Sequence, residues 1–212
     1  MLLPAVWESF AYALVALLVI IDPVGTAVLF AALTPGDPAA ERARQARRAC
    51  LIAFIVLAGF GIGGRQLLAA MGIGLPAMKL AGGALLFLTA ADMVTARGVL
   101  RSSEEERQEA VRTQDISVFP LAIPFIAGPG AMTTMVLLQS QSGGQVWSML
   151  AVLLALALAI AATLLALLSA RYLSRLLGKT GSHVVGRVLG VLLAAMAAQL
   201  MVDGAREALS LH

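Results

Sequence analysis

Two short blocks hold the residue types and spacings best suited to binding chemistry. Ile21-Asp22-Pro23-Val24-Gly25-Thr26 and Gly128-Pro129-Gly130-Ala131-Met132-Thr133-Thr134 each place a proline directly after a residue that can open a helix. Asp22 and Gly128 read as N-caps, with Pro23 and Pro129 at the first helical position. A helix that starts there presents free backbone N–H groups and a positive dipole end, which suit a carboxylate or other anionic group. Gly25, Gly128 and Gly130 would let a ligand approach the backbone, and Thr26, Thr133 and Thr134 would add hydroxyl donors. Asp22 offers a carboxylate with two readings: a coupling group that takes up a proton or cation, or a plain cap for the helix it starts.

Other chemistry finds little support. His183 is a lone histidine with no partners for a metal set, and Cys50 reads as a small buried apolar side chain. There is no phosphate-binding loop and no nucleophile and base at a recognisable spacing, so neither an enzyme nor a cofactor is expected. Asp92 and Asp203 read as interfacial groups, Thr89, Thr163 and Gln199 as interhelical hydrogen-bonding groups, and Gly59-x-x-x-Gly63 and Gly186-x-x-x-Gly190 as close-packing sites.

The elements that carry the two blocks follow from composition. The 212 residues are 60% hydrophobic and 13% charged, against about 45–50% and 25% in soluble domains. Six apolar runs approach the roughly 20 residues that span a bilayer: Ala5 to Leu33, Arg48 to Ala70, Pro76 to Ala96, Ile116 to Gln139, Val146 to Tyr172 and Val184 to Ala208. The first run is too long, and too interrupted by Asp22 and Pro23, for a cleaved leader. Arg42, Arg44, Arg47 and Arg48 sit in the first connection, Arg97, Arg101, Arg107 and Arg112 in the third, and Arg171, Arg175 and Lys179 in the fifth. The positive-inside rule makes these three cytoplasmic and puts both termini outside, with Trp7 and Trp147 at the outer interface. A net charge of +3 and a pI near 9.6 thus reflect topology, and no nucleic-acid partner is expected.

An ordered internal repeat links the halves. An offset of 106 lays Pro23 on Pro129 and Arg65, Leu67 and Gly72 on Arg171, Leu173 and Gly178. An offset of 108 lays Lys79-Leu80-Ala81-Gly82 on Arg187-Val188-Leu189-Gly190. With an odd number of spans in each half the second enters inverted, an architecture common in transporters. The expectation is an all-α membrane protein of six helices in two inverted three-helix repeats, 1–96 and 116–212, joined by a charged cytoplasmic connection, 97–115. Helices one and four are discontinuous, because a proline inside a bilayer helix leaves a backbone group that water cannot repair.

These residues resemble the MarC family. The likeness rests on Ile21-Asp22-Pro23-x-Gly25, Leu80-Ala81-Gly82-Gly83, Pro120-Leu-Ala-Ile-Pro124 with Ala127-Gly128-Pro129-Gly130, and Leu177-Gly178-Lys179-x-Gly181 followed by Arg187-x-Leu-Gly190. The resemblance implies a six-span inner-membrane protein of bacteria or archaea, related to a transporter of small neutral amino acids such as glycine and alanine. It also implies that Asp22, Pro23, Gly25 and Thr26, with Gly128, Pro129, Gly130 and Thr133, form the substrate site. The expected partners are an amino acid and the lipid bilayer, with homo-oligomers left open. Transport would proceed by alternating access, the two halves rocking about the site. The alternatives are export of another small solute and a membrane scaffold that transports nothing.

Overall fold

A computed structural model describes residues 2–34, 36–95, 115–143 and 145–210. Side chains are described for these, apart from residues 2–5, 32, 92, 93, 174–180, 182, 183, 185 and 186. The expected charged connection therefore lies outside the described residues, save Asp115, as do the side chains of Asp92 and His183.

The described chain is helical and contains no strand. In order come α1 (Leu2–Ile21), α2 (Pro23–Leu33), α3 (Ala39–Ala70), α4 (Leu75–Thr95), α5 (Ser117–Ile126), α6 (Pro129–Gln141), α7 (Val146–Leu168) and α8 (Ala170–Ser210). Val6–Ala31, Ala39–Ala70, Val146–Leu168 and Arg187–Ser210 are long and apolar enough to cross a bilayer, and α5 with α6, bent by 55°, adds a fifth such segment. The apolar part of α4, Leu75–Ala91, is shorter. Outward faces are apolar: Leu51, Ile55 and Ile62 of α3, Leu85 and Leu88 of α4, and Leu150, Leu154 and Leu165 of α7 are exposed. Such surfaces suit lipid as the solvent, since in water they would drive association.

Several boundaries differ from expectation. The first connection shrinks to Thr34–Pro38, and the arginines from Arg42 to Arg48 occupy the opening turns of α3. The Ala, Glu, Arg and Gln residues there are strong helix formers and extend the helix beyond its apolar part. For the same reason the expected fifth connection is helical and forms the start of α8.

The buried core divides in two. A large cluster fills the space between α1, α2, α3, α5, α6 and α7, with Leu17, Phe30, Leu57, Leu121, Met135 and Leu156 among its fully buried members. Alanines 13, 27, 46, 49, 53, 127, 155 and 159 in this cluster are fully buried too, and their small size lets the helix backbones approach closely. A second, smaller cluster joins Leu86 and Ala90 of α4 to Leu193 and Ala197 of α8, with Val19 and Ile20 of α1 against it. The pairing of α4 and α8 is antiparallel: Lys79 bonds Glu207, Gly204 lies on Pro76 and Lys79, and Gly83 lies on Ala197 and Met201.

Nearly every extensive helix contact joins residues before 96 to residues after 116. In order of extent these are α4 with α8, α1 with α7, and α3 with α6 and α7; α2 then meets α8 and α7, and α3 meets α5. The halves 1–96 and 116–212 thus interlock and do not form lobes. Rocking of one half against the other, the expected motion, would have to break most of these contacts. The bodies that do cohere are a four-span bundle (α1–α2, α3, α5–α6, α7) and the α4–α8 pair.

The expected close-packing role of Gly59 and Gly63 is also corrected: no atom lies within 4 Å of a Cβ built on either. The glycines that admit a neighbour are Gly61, against Met135 and Gln139, and Gly64, against Val136. The i, i+4 spacing was sound, but it fell on the outward face of α3.

Candidate functional site

The first break is a single residue wide. Asp22 adopts φ 46°, ψ 73° between α1 and α2, a left-handed conformation that Asp tolerates better than most residues. Its carboxylate Oδ1 accepts the Gly25 N–H at 2.9 Å, and its own N–H donates to the Leu18 carbonyl at 3.1 Å. The Thr26 hydroxyl donates to the Ile21 carbonyl at 2.9 Å. Each of these polar groups finds a partner within the break, as a low-dielectric surrounding demands. A Cβ on Gly25 would fall 2.1 Å from Asp22 Oδ2, so any side chain there would displace the capping carboxyl group. The start of α2 is therefore already capped by the protein's own Asp22 carboxyl group.

The second break is wider and differently furnished. In α5 the residues before Pro120 and Pro124, Phe119 and Ile123, take extended backbone angles, the conformation that a following proline favours. Gly128 then caps α6 in an extended conformation with no side-chain hydrogen bond. It must lack a Cβ, which would meet the Pro124 carbonyl at 2.6 Å. The first turn of α6 carries no acidic residue, so its N–H groups lack the carboxyl cap that Asp22 gives α2.

Both breaks hold the eight site residues expected from the sequence, with two changes of role. Thr26 and Thr133 spend their hydroxyl protons on backbone carbonyls, Thr133 on Pro129 at 2.9 Å. Thr134 differs: it is buried, and among the described residues nothing bonds its hydroxyl. The first turn of α6 is covered by α4, with Leu86 over Gly130 and Gly82 against Thr133. Neither Gly82 nor Leu86 was singled out as a site residue. The repeated Lys79-Leu80-Ala81-Gly82 block was the available signal, and neighbouring Gly82 and Gly83 face different helices, α6 and α8.

Beside this break a cleft of about 140 Å3 runs between α1, α4, α6 and α8, at the seam between the α4–α8 pair and the bundle. Its polar lining comprises Tyr12, Lys79, Thr134, Gln141, Gln199 and Asp203. Gln199 donates to Asp203 at 2.8 Å, so its hydrogen bond stays within α8 and does not reach another helix.

A second polar region ties together the end of α2 and the starts of α3, α5 and α8. Arg48 pairs with Asp115, Arg171 donates to the Asp37 carbonyl at 3.1 Å, and Arg42 stacks over Phe30 at 5.7 Å. Here cations close the ends of helices, and among the described residues no group of His, Cys, Asp or Glu is placed to hold a metal ion.

Helices with apolar outer faces, several long enough to span a bilayer and one pair broken within it, define an integral multi-pass membrane protein. Residues 7–209 match the family described as MarC family integral membrane protein, and the chain belongs to that family. It is 38% identical over 138 residues to a UPF0056 membrane protein of Archaeoglobus fulgidus, covering 65% of this chain and 64% of that one. With the UPF0056 membrane protein YvbG of Bacillus subtilis it shares 33% identity over 140 residues, 65% of this chain and 66% of YvbG. A UPF0056 membrane protein of Methanocaldococcus jannaschii is 33% identical over 149 residues, 69% and 73% of the two chains. The chain thus spans slightly under two thirds of the length of the first two relatives. No solved structure matches it.

Proposed function

We propose that this protein is a secondary transporter of small neutral amino acids, a carrier and not an enzyme, with six spans in two inverted repeats. The observation that carries this is the pair of breaks at positions related by the repeat, Asp22-Pro23 and Gly128-Pro129, of which only the second leaves its helix end without a capping side chain. Irregular backbone inside a bilayer is tolerated where it is packed in protein or lines a cavity, and half-helix ends recur at transporter substrate sites. The substrate carboxylate would meet the N–H groups of α6 at Gly130 and Ala131, since the equivalent position on α2 is filled by Asp22.

Two features support the repeat and the sixth span. Helix contacts come in exchanged pairs: α1 with α7 answers α5 with α3, α2 with α7 answers α6 with α3, and α2 with α8 answers α6 with α4. The central pair, α4 with α8, maps onto itself. Helix α4 lies along the apolar span of α8 and turns Leu85 and Leu88 outward, which fits a membrane location despite its shorter apolar stretch.

Alternating access would come from movement of the α4–α8 pair against the four-span bundle, withdrawing Leu86 from Gly130. Energy would come from an ion gradient, as no nucleotide-binding sequence is present. On this reading both termini lie on the outer side of the inner membrane, an orientation that the arginine distribution supports. The test is uptake of labelled glycine and alanine into proteoliposomes, with Gly130→Leu as the blocked control. Gradient-driven uptake lost in that variant supports the proposal. Absence of uptake for every amino acid, by protein shown to be folded, favours a different solute or a scaffold.

A further inference from the structure

We propose that the cleft between α1, α4, α6 and α8 is a binding site for a small zwitterion, distinct from the broken helix ends and placed on the path to them. It rests on the transporter proposal for the ligand's onward passage, but not for binding itself. The cleft is several times the ~30 Å3 that one water occupies in the liquid, room for a molecule of few heavy atoms. Its lining unites one cation, Lys79, and one anion, Asp203, with the polar residues Gln199 and Thr134. Thr134 is 6% exposed, its hydroxyl oxygen is buried, and no described residue bonds that hydroxyl. An unpaired hydroxyl buried in a bilayer protein is costly, and a turn of the Thr134 side chain toward a ligand in the cleft would satisfy it.

The charges assign the ends of the ligand. Its ammonium goes to Asp203 and its carboxylate to Lys79, where it competes with the partly exposed Glu207. Apart from Tyr12 and Gln141, the remaining lining is alanine, leucine and methionine, which suits a short apolar side chain. Thr134 stands one helical turn beyond Gly130 on α6, about 6 Å along the axis, and Leu86 covers Gly130. A ligand held at Thr134 would therefore wait one turn from the uncapped end of α6, behind Leu86. On the proposed topology the start of α4 and the ends of α6 and α8 share the outer side, so this is the outer station.

The experiment measures binding of L-alanine to the purified full chain by calorimetry, beside propionate, which lacks the ammonium, and alaninamide, which lacks the carboxylate. Alanine should bind and each analogue should be weaker by tenfold or more, as expected for loss of a charge-assisted contact. Asp203→Asn and Lys79→Met should each weaken alanine by about tenfold or more. Thr134→Val should weaken it without lowering the melting temperature, because it removes a hydroxyl that has no partner in the unliganded protein. Unchanged alanine affinity in all three variants overturns the cleft site and leaves transport standing. Propionate binding as tightly as alanine also overturns it. Binding that the variants abolish, with no uptake into proteoliposomes, sustains the site and removes transport. No binding of alanine to the wild-type chain overturns both.

Discussion

Replacing Asp22 separates its two roles through a set of variants, not a single one. Asp22 accepts the Gly25 N–H at 2.9 Å and holds φ at 46°. Alanine removes the cap, costing about 1 kcal/mol, and lacks the local side-chain hydrogen bond that lets Asp tolerate the left-handed backbone, costing up to about 1 kcal/mol more. A sum of about 2 kcal/mol is roughly a thirtyfold change in the folding equilibrium. Glycine relaxes the backbone and loses the cap, for a few tenths of a kcal/mol. Asparagine keeps the accepting oxygen and tolerates the conformation, so its loss should stay near ~0.5 kcal/mol, mostly the missing charge at the helix end. Detergent-solubilised protein unfolded by SDS and followed by circular dichroism should rank Asp, then Asn and Gly together, then Ala. An alanine variant within ~0.5 kcal/mol of the asparagine variant would refute both the cap and the conformational cost. Because the carboxylate already serves α2, Asp22→Asn should also keep the rate and pH dependence of transport. A stable Asn variant that has lost its pH dependence would return Asp22 to the coupling role.

Neighbouring glycines of α3 should respond with opposite signs. Gly64→Ala drives a Cβ to 2.4 Å from Val136 and should destabilise by about 1–3 kcal/mol, while Gly63→Ala, with nothing within 4 Å, should be neutral or stabilise by up to about 1 kcal/mol. Equal effects of the two in thermal unfolding would refute the assigned faces. Cys50, 3% exposed, should resist maleimide in native membranes and react once SDS unfolds the chain; rapid native labelling would show that α3 opens. A short thiol cross-linker bridging cysteines at Ala90 and Leu193, buried together between α4 and α8, should leave transport intact. A cross-link from Gln141 to Gln199, which line the cleft from α6 and α8, should arrest it, and the reverse pattern would exclude movement of α4–α8 as a unit. Paired substitution of Arg48 and Asp115, both partly exposed, should give a coupling energy below about 1 kcal/mol that falls with salt.

The class of this protein and the location of its two breaks were decided by the sequence alone. Apolar runs of spanning length admit only helices in lipid, and Asp22-Pro23 and Gly128-Pro129 mark helix starts by local chemistry that no distant contact has to supply. Which face of a helix meets which neighbour was not written there. The runs are apolar around their whole circumference, so periodicity carried no signal to separate Gly61 and Gly64, which face α6, from Gly59 and Gly63, which face outward. The interlocking of the halves was hidden for the same reason: the repeat reveals which segments correspond, whereas packing decides which of them touch. Likewise Asp22 and Gly128 occupy equivalent positions in the repeat. Only tertiary structure showed that one helix end is capped by its own carboxyl group and that the other, without a capping side chain, is covered by Leu86. The Thr134 hydroxyl shows the same division, since a threonine's partner depends on what lies across the helix interface and not on the residues beside it in the chain.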